Sequence, residues 1–122
     1  MLDPQDIEIT NTAAVNYSAG ANNLFANNPG ATTKIKASGA NSLSAQTSNV
    51  VLQATRDIAF TDSVSIANAG TSLTAQAGGH IDVNASITTN GGAIRLEADS
   101  PHSGPAGSGT LTVGNVNIAS NG

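Results

Sequence analysis

The sequence predicts an all-β chain wound as a parallel β-helix (β-solenoid) of about four to five coils, and three observations predict it. Apolar residues alternate with polar ones in runs of three to five, the mark of half-buried strands. Similar runs recur at intervals of 21 to 30 residues. Ala, Ser, Thr, Asn and Gly make up 73 of the 122 residues, whereas Leu, Ile, Val and Phe make up only 25. So few large apolar side chains cannot fill one thick core. They suffice for a thin one, in which each repeat buries its apolar face against the next.

The first strand in chain order is Ile7-Glu8-Ile9. Residues 10–48 read as an irregular or loop-rich first coil. Asn22, Asn23, Asn27, Asn28 and Pro29-Gly30 mark loop within it. Ile35/Ala37 and Leu43/Ala45 are candidate strands of no fixed register. Residues 49–122 read as regular coils, so that 1–122 forms one segment. Asn49–Phe60 aligns on Ser72–Val83 at a constant shift of 23, which places the Gln53-Ala54 pair on Gln76-Ala77, Ile58 on Ile81 and Phe60 on Val83. Val64 falls on Ile87 at the same shift. Ile94-Arg95-Leu96-Glu97-Ala98 repeats Leu73-Thr74-Ala75-Gln76-Ala77 at a shift of 21. Ser100–Gly109 is a Pro/Gly/Ser loop that lengthens one coil, and Leu111-Thr112-Val113 then resumes the Ile81-Asp82-Val83 pattern at a shift of 30. Thr89-Asn90-Gly91 recurs as Ser120-Asn121-Gly122. The residues expected to ladder inside the coils are Leu52, Ile58, Phe60, Leu73, Ile81, Val83, Ile94, Leu96, Leu111 and Val113, with Asn, Gly, Asp and Ser at the bends.

Charge and composition narrow the function. Four basic residues, Lys34, Lys36, Arg56 and Arg95, in a chain of net charge −4 give no nucleic-acid footprint. Two Phe and one Tyr give no platform for stacking bases. The absence of cysteine excludes disulfide staples and thiolate metal sites. No run is long and apolar enough to be a transmembrane helix. Met1–Asp6 has neither the basic nor the apolar part of a signal peptide, so an export signal would lie outside the chain.

Leu2–Ile9, Asn49–Ala54, Asp57-Ile58, Leu73–Gly78 and Thr89–Ala98, in this order and spacing, resemble the segment after the secretion domain of filamentous haemagglutinin-like exoproteins. The resemblance is best over 2–9 and 49–122. It implies a right-handed parallel β-helix, export by a partner outer-membrane transporter (two-partner secretion), and a place at the bacterial cell surface or outside the cell. It also implies a non-catalytic structural rod in an adhesin that meets a receptor or glycan of a host or neighbouring cell. The Asn-Pro-Asn motifs of the family's secretion domain are not matched by Asn27-Asn28-Pro29-Gly30, so the chain reads as a piece without that domain. Uncapped ends of such a piece would expose strand edges and apolar rungs, and self-association or fraying is expected.

Candidate chemistry is sparse. His80 and Asp82 flank an inward Ile81 and point outward. They read as solvated coil-face residues, with a metal site or an acid/base pair as the sharper alternative. His102 in the 100–109 loop, with Asp99 next to it, forms a candidate binding site, set against a plain surface loop. Asp57, Asp62, Asp82 and Asp99 are too dispersed for a carboxylate pair. The clustered Asp that serve calcium in pectate-lyase-like β-helices are not matched around Asp82, though a β-helix enzyme or polysaccharide-binding module remains the alternative function. Gly78-Gly79-His80-Ile81-Asp82 lacks the repeat of a calcium nonapeptide. The pairs Thr10/Thr12 and Thr110/Thr112 are too few for an ice-binding ladder. The sequons at Asn16 and Asn84 occur at chance frequency in such a composition. No catalytic residue, cofactor or metal ligand is expected.

Overall fold

A computed structural model of the chain describes residues 6–12, 14, 32–54, 56–98, 110–114 and 116–120. The architecture is all-β, built from parallel strands in three sheets. The first sheet holds β1 (Asp6–Thr10), β2 (Thr32–Lys36), β4 (Asp57–Phe60), β7 (Ile81–Val83) and β10 (Leu111–Val113). The second holds β5 (Val64–Ala69), β8 (Ile87–Asn90) and β11 (Ile118–Ala119). The third holds β3 (Val50–Ala54), β6 (Leu73–Ala77) and β9 (Ile94–Glu97). From β4 onward the chain visits the sheets in turn, so β4-β5-β6 make one lap, β7-β8-β9 the next, and β10-β11 begin another. The pattern is consistent with a β-helix.

The strands form where the alternation places them. β3, β6 and β7 bury every second residue, and every buried residue in them is aliphatic. Registers between laps match the repeat spacing of the sequence. Val50 pairs with Leu73 and Ile58 with Ile81 at a shift of 23, Leu73 with Ile94 at 21, and Ile81 with Leu111 at 30. The resulting interior columns include Ile7–Ile58–Ile81–Leu111, Ile9–Phe60–Val83–Val113, Val50–Leu73–Ile94 and Leu52–Ala75–Leu96. Leu73 therefore lies one column away from Leu52 and Leu96.

Leu52, Ile58, Phe60, Leu73, Ile81 and Val83 are fully buried. Ile94 and Leu96 are only half-buried. Leu111 and Val113 stand in register yet are 43% and 45% exposed, which corrects their expected place in the interior. The strand above them that would cover their side chains is missing among the described residues.

The first sheet breaks chain order. β1 lies between β2 and β4, pairing Ile7 with Thr33 on one side and with Ile58 on the other. Residues 32–36 are thus a regular strand at the sheet's edge, with Ile35 and Ala37 buried. Leu43–Ala45 is a short 3-10 turn rather than a strand. It buries Leu43 and leaves Ala45 exposed. This turn sits beneath β5, where Ser44 Oγ accepts the Ser65 N–H at 2.9 Å.

Two kinds of glycine make the bends. Gly70 and Gly91 hold equivalent positions with φ of 77° and 86°, a conformation that only glycine adopts freely. Gly92 is needed for closeness instead: a Cβ there would overlap the Thr71 carbonyl and the Ser72 nitrogen. Ser100, the 101–109 loop, Asp99 and His102 lie outside the described residues, as do Leu2–Gln5, Asn16, Asn27–Gly30 and Asn121-Gly122.

Candidate functional site

Charge concentrates on the outward face of the first sheet. β2 places Lys34 and Lys36 there, β1 Asp6 and Glu8, β4 Asp57, and β7 Asp82, while β10 adds only Thr112. The face therefore runs from a basic edge through an acidic middle to a neutral edge. Lys34 reaches Glu8 at 4.0 Å, and Thr61 Oγ1 donates to Glu8 at 3.0 Å.

The corner leading into this sheet carries a second ladder. Asp6 Oδ1 accepts the Asp57 N–H at 3.2 Å, and Asp57 Oδ1 accepts the His80 N–H at 2.8 Å. His80 Nδ1 in turn accepts the Thr110 N–H at 3.0 Å. The side chain at one level thus receives the backbone N–H of the equivalent residue one lap on. The cause is local: a strand's first amide projects toward the neighbouring level, and a short acceptor at the same corner meets it. The other two corners do the same with neutral groups. Asn49 Oδ1 accepts the Ser72 N–H at 3.0 Å, and Ser86 Oγ accepts the Asn117 N–H at 3.3 Å.

Arg56 closes the first of these caps. Its guanidinium makes a two-pronged contact with Asp6, at 3.0 Å through Nε and 2.6 Å through NH2, and comes within 4.0 Å of Asp57. The hydrogen bond to Asp6, and then the Asp6 charge, hold the guanidinium above its ordinary range, and it stays cationic throughout. The contact is at the surface, so it positions Asp6 more than it stabilises the fold.

His80 and Asp82 both face outward, on either side of the buried Ile81. Accepting an N–H at Nδ1 requires a neutral ring with its proton on Nε2. In that state the ring keeps no basic nitrogen free, and its role is a backbone cap. Asp62 is occupied in the same way, accepting from Thr10 Oγ1 at 3.0 Å and the Asn11 N–H at 2.7 Å. Asp57 and His80 stand one above the other, as the 23-residue shift implies, whereas Asp62 lies apart at another bend. Among the described residues no three His, Asp or Glu side chains converge on a point that could hold a metal ion. Asp99 and His102, the candidate loop site, lie outside the described residues.

The outer face of the third sheet carries an amide ladder. Gln53 Nε2 donates to Gln76 Oε1 at 2.9 Å, Gln76 Nε2 donates to Glu97 Oε1 at 3.3 Å, and Arg95 pairs with Glu97 at 2.6 Å. The repeated Gln-Ala pair signals this ladder in the sequence. The Asp6–Asp57–His80 corner carries no such signal, because its members differ in residue type.

Comparison of the chain with protein-family models, with curated proteins and with solved structures gives no match.

Proposed function

We propose that the chain is a segment of a right-handed parallel β-helix, of about four to five coils, that serves as a non-catalytic rod in a secreted bacterial surface adhesin of the filamentous haemagglutinin type. The observation that supports this reading is the side-chain economy of the exterior. The outward Asp6 and Asp57 carboxylates, the Gln53 and Gln76 amides and the His80 ring are engaged in lap-to-lap hydrogen bonds, so much of the polar chemistry of these faces goes into stiffening the stack. A rod needs that property, and it needs no concave site. In this reading the parent protein crosses the outer membrane through a partner transporter. The outward faces and the 100–109 loop then meet a receptor or glycan on a host or neighbouring cell.

The experiment uses beads coated with the purified chain, presented to epithelial cells, to bacterial cells and to a glycan array, beside an assay on acidic polysaccharides with calcium. Adhesion to a cell surface or glycan without turnover is the expected result. Polysaccharide cleavage that disappears on Asp82→Ala or His80→Ala would replace the rod by a β-helix enzyme. Glycan retention with no cell binding would replace it by a polysaccharide-binding module.

A further inference from the structure

The bend that ends β8 carries a reactive pair. Asn90 closes the strand, Gly91 follows it with φ of 86°, and both are exposed. Among the described residues this is the only Asn-Gly step, and the equivalent bend one lap earlier reads Ala69-Gly70. The side-chain amide carbon of an asparagine can close a small ring with the next backbone nitrogen, and a following glycine, lacking a Cβ, leaves that approach unhindered. The Gly91 nitrogen can therefore attack Asn90 Cγ. An N–C bond forms and the Cγ–Nδ2 bond breaks. Ammonia leaves with the proton that the Gly91 nitrogen gives up, and a succinimide remains. Water then opens either carbonyl of that ring, leaving aspartate or isoaspartate.

The stack restrains every group in that reaction. The Asn90 carbonyl accepts the Gly70 N–H of the lap before at 2.9 Å, and the Gly91 N–H donates to the Ser120 carbonyl of the lap after at 2.6 Å. The peptide plane that must turn to bring the nitrogen onto Cγ is thus pinned from both sides. Asn90 Nδ2 is engaged as well, donating to the Ala67 carbonyl at 3.1 Å. From this arrangement we infer that Asn90-Gly91 is a site of spontaneous deamidation held in check by the lap stacked on it, so that loss of stacking is recorded as a covalent change. The covering strand is short, pairing with β8 through Ile118 and Ala119, so local opening there frees the Gly91 nitrogen before the earlier laps unfold. The product also prevents reclosure. A carboxylate at position 90 has no N–H for the Ala67 carbonyl. Isoaspartate lengthens the backbone by a methylene just ahead of Gly92, where even a Cβ would overlap the Thr71 carbonyl. This inference goes beyond the rod reading and does not rest on it.

The test is peptide mapping by mass spectrometry after incubation of the 122-residue chain in mildly alkaline buffer, native and in urea. Isoaspartate is counted separately by enzymatic methyl transfer. Trypsin releases Asn90 in the 57–95 peptide, where Asn68 and Asn84, each followed by alanine, serve as internal references. In urea Asn90 converts while both references persist, and in the native chain its conversion is at least about tenfold slower. Ile118→Pro opposes the pairing of β11 with β8 and raises the native rate together with amide exchange at Gly91. Urea below the unfolding midpoint does the same without a substitution. Equal rates in the native and unfolded chains overturn the inference, as does an Asn90 that persists in urea. So does a native rate that stays put while Ile118→Pro or low urea accelerates exchange at Gly91.

Discussion

Ile81 lies fully buried between Ile58 and Leu111 in an interior column of the first sheet. Ile81→Ala removes three carbons from it. At about 0.8 kcal/mol per buried methylene the transfer loss is about 2.4 kcal/mol, and the cavity brings the total to about 2–5 kcal/mol. Leu111→Ala removes three carbons from the same column. There the side chain is 43% exposed and nothing among the described residues lies over it, so roughly half the transfer loss applies and no closed cavity forms, about 1 kcal/mol in all. Ile81→Asp adds an unpaired buried carboxylate, worth several kcal/mol more, and consumes most or all of a typical domain's stability. Asp82→Ala, one residue away on the outer face, stays within about 0.5 kcal/mol of the parent. The assay is urea unfolding followed by far-ultraviolet dichroism, at concentrations where the chain is monomeric, with midpoints compared at constant slope. Equal costs for Ile81→Ala and Leu111→Ala, or a folded Ile81→Asp chain, would refute the column as the source of stability.

Three further outcomes follow from the bends and caps. Gly92→Ala drives a Cβ into the Thr71 backbone and destabilises by about 2 kcal/mol or more, while Gly114→Ala, whose Cβ meets Val83 O at an ordinary 3.4 Å, costs far less; thermal melts of the two variants decide it. His80→Ala leaves the Thr110 N–H without its acceptor and costs about 1 kcal/mol, and His80→Asn restores most of it by offering an amide oxygen at the same corner. Amide exchange of Thr110 reads that difference directly. Asp6→Ala destabilises more than Arg56→Ala, because Asp6 accepts the Asp57 N–H as well as the guanidinium, and added salt shrinks the Arg56 effect but only the ion-pair share of the Asp6 effect.

Much of the lap geometry was legible in the sequence, because register is a consequence of spacing. The shifts of 23, 21 and 30 residues set Val50 on Leu73, Leu73 on Ile94 and Ile81 on Leu111, and the strands pair that way. The place of β1 was not legible. Ile7-Glu8-Ile9 alternates like every other strand, and alternation says which face is buried but not which neighbour lies alongside. Its insertion between β2 and β4 depends on a chain path that skips a level, which leaves no periodic trace. Leu43-Ser44-Ala45 alternates too, yet three residues cannot distinguish a strand from a 3-10 turn. Exposed apolar rungs are expected at uncapped ends, but a covered rung and an uncovered one share the same residue types, so alternation alone does not single out Leu111 and Val113. At the candidate site, the outward direction of His80 and Asp82 followed from Ile81 pointing inward. The capping role of His80 did not, because it depends on Thr110 thirty positions away across a loop that varies the repeat.

Those caps answer a question that the apolar columns leave open. A strand with a period of two can slip by two residues against its neighbour and still bury the same face. In this chain the slipped arrangements would be nearly as apolar: moving β6 by two against β3 exchanges Leu52–Ala75 contacts for Leu52–Leu73 or Leu52–Ala77, all aliphatic. Burial alone separates such registers weakly. The corner acceptors separate them sharply, since Asn49 meets the Ser72 N–H, and Asp57 the His80 N–H, only in the observed pairing. A slip leaves each amide buried against the wrong partner or open to water, at about 1 kcal/mol for every cap lost. Gly79 adds a steric term in the same direction, because its missing Cβ admits Asp57 Oδ1 and the Arg56 carbonyl at that one level. Interior columns thus supply the bulk of the stability, and the polar corners choose among registers that the columns cannot tell apart. Replacing Asn49 and Asp57 together by alanine would then broaden the amide resonances of β6 and β7 into more than one set before it unfolds the chain. A single sharp set of resonances in that double variant would assign register selection to the apolar packing instead.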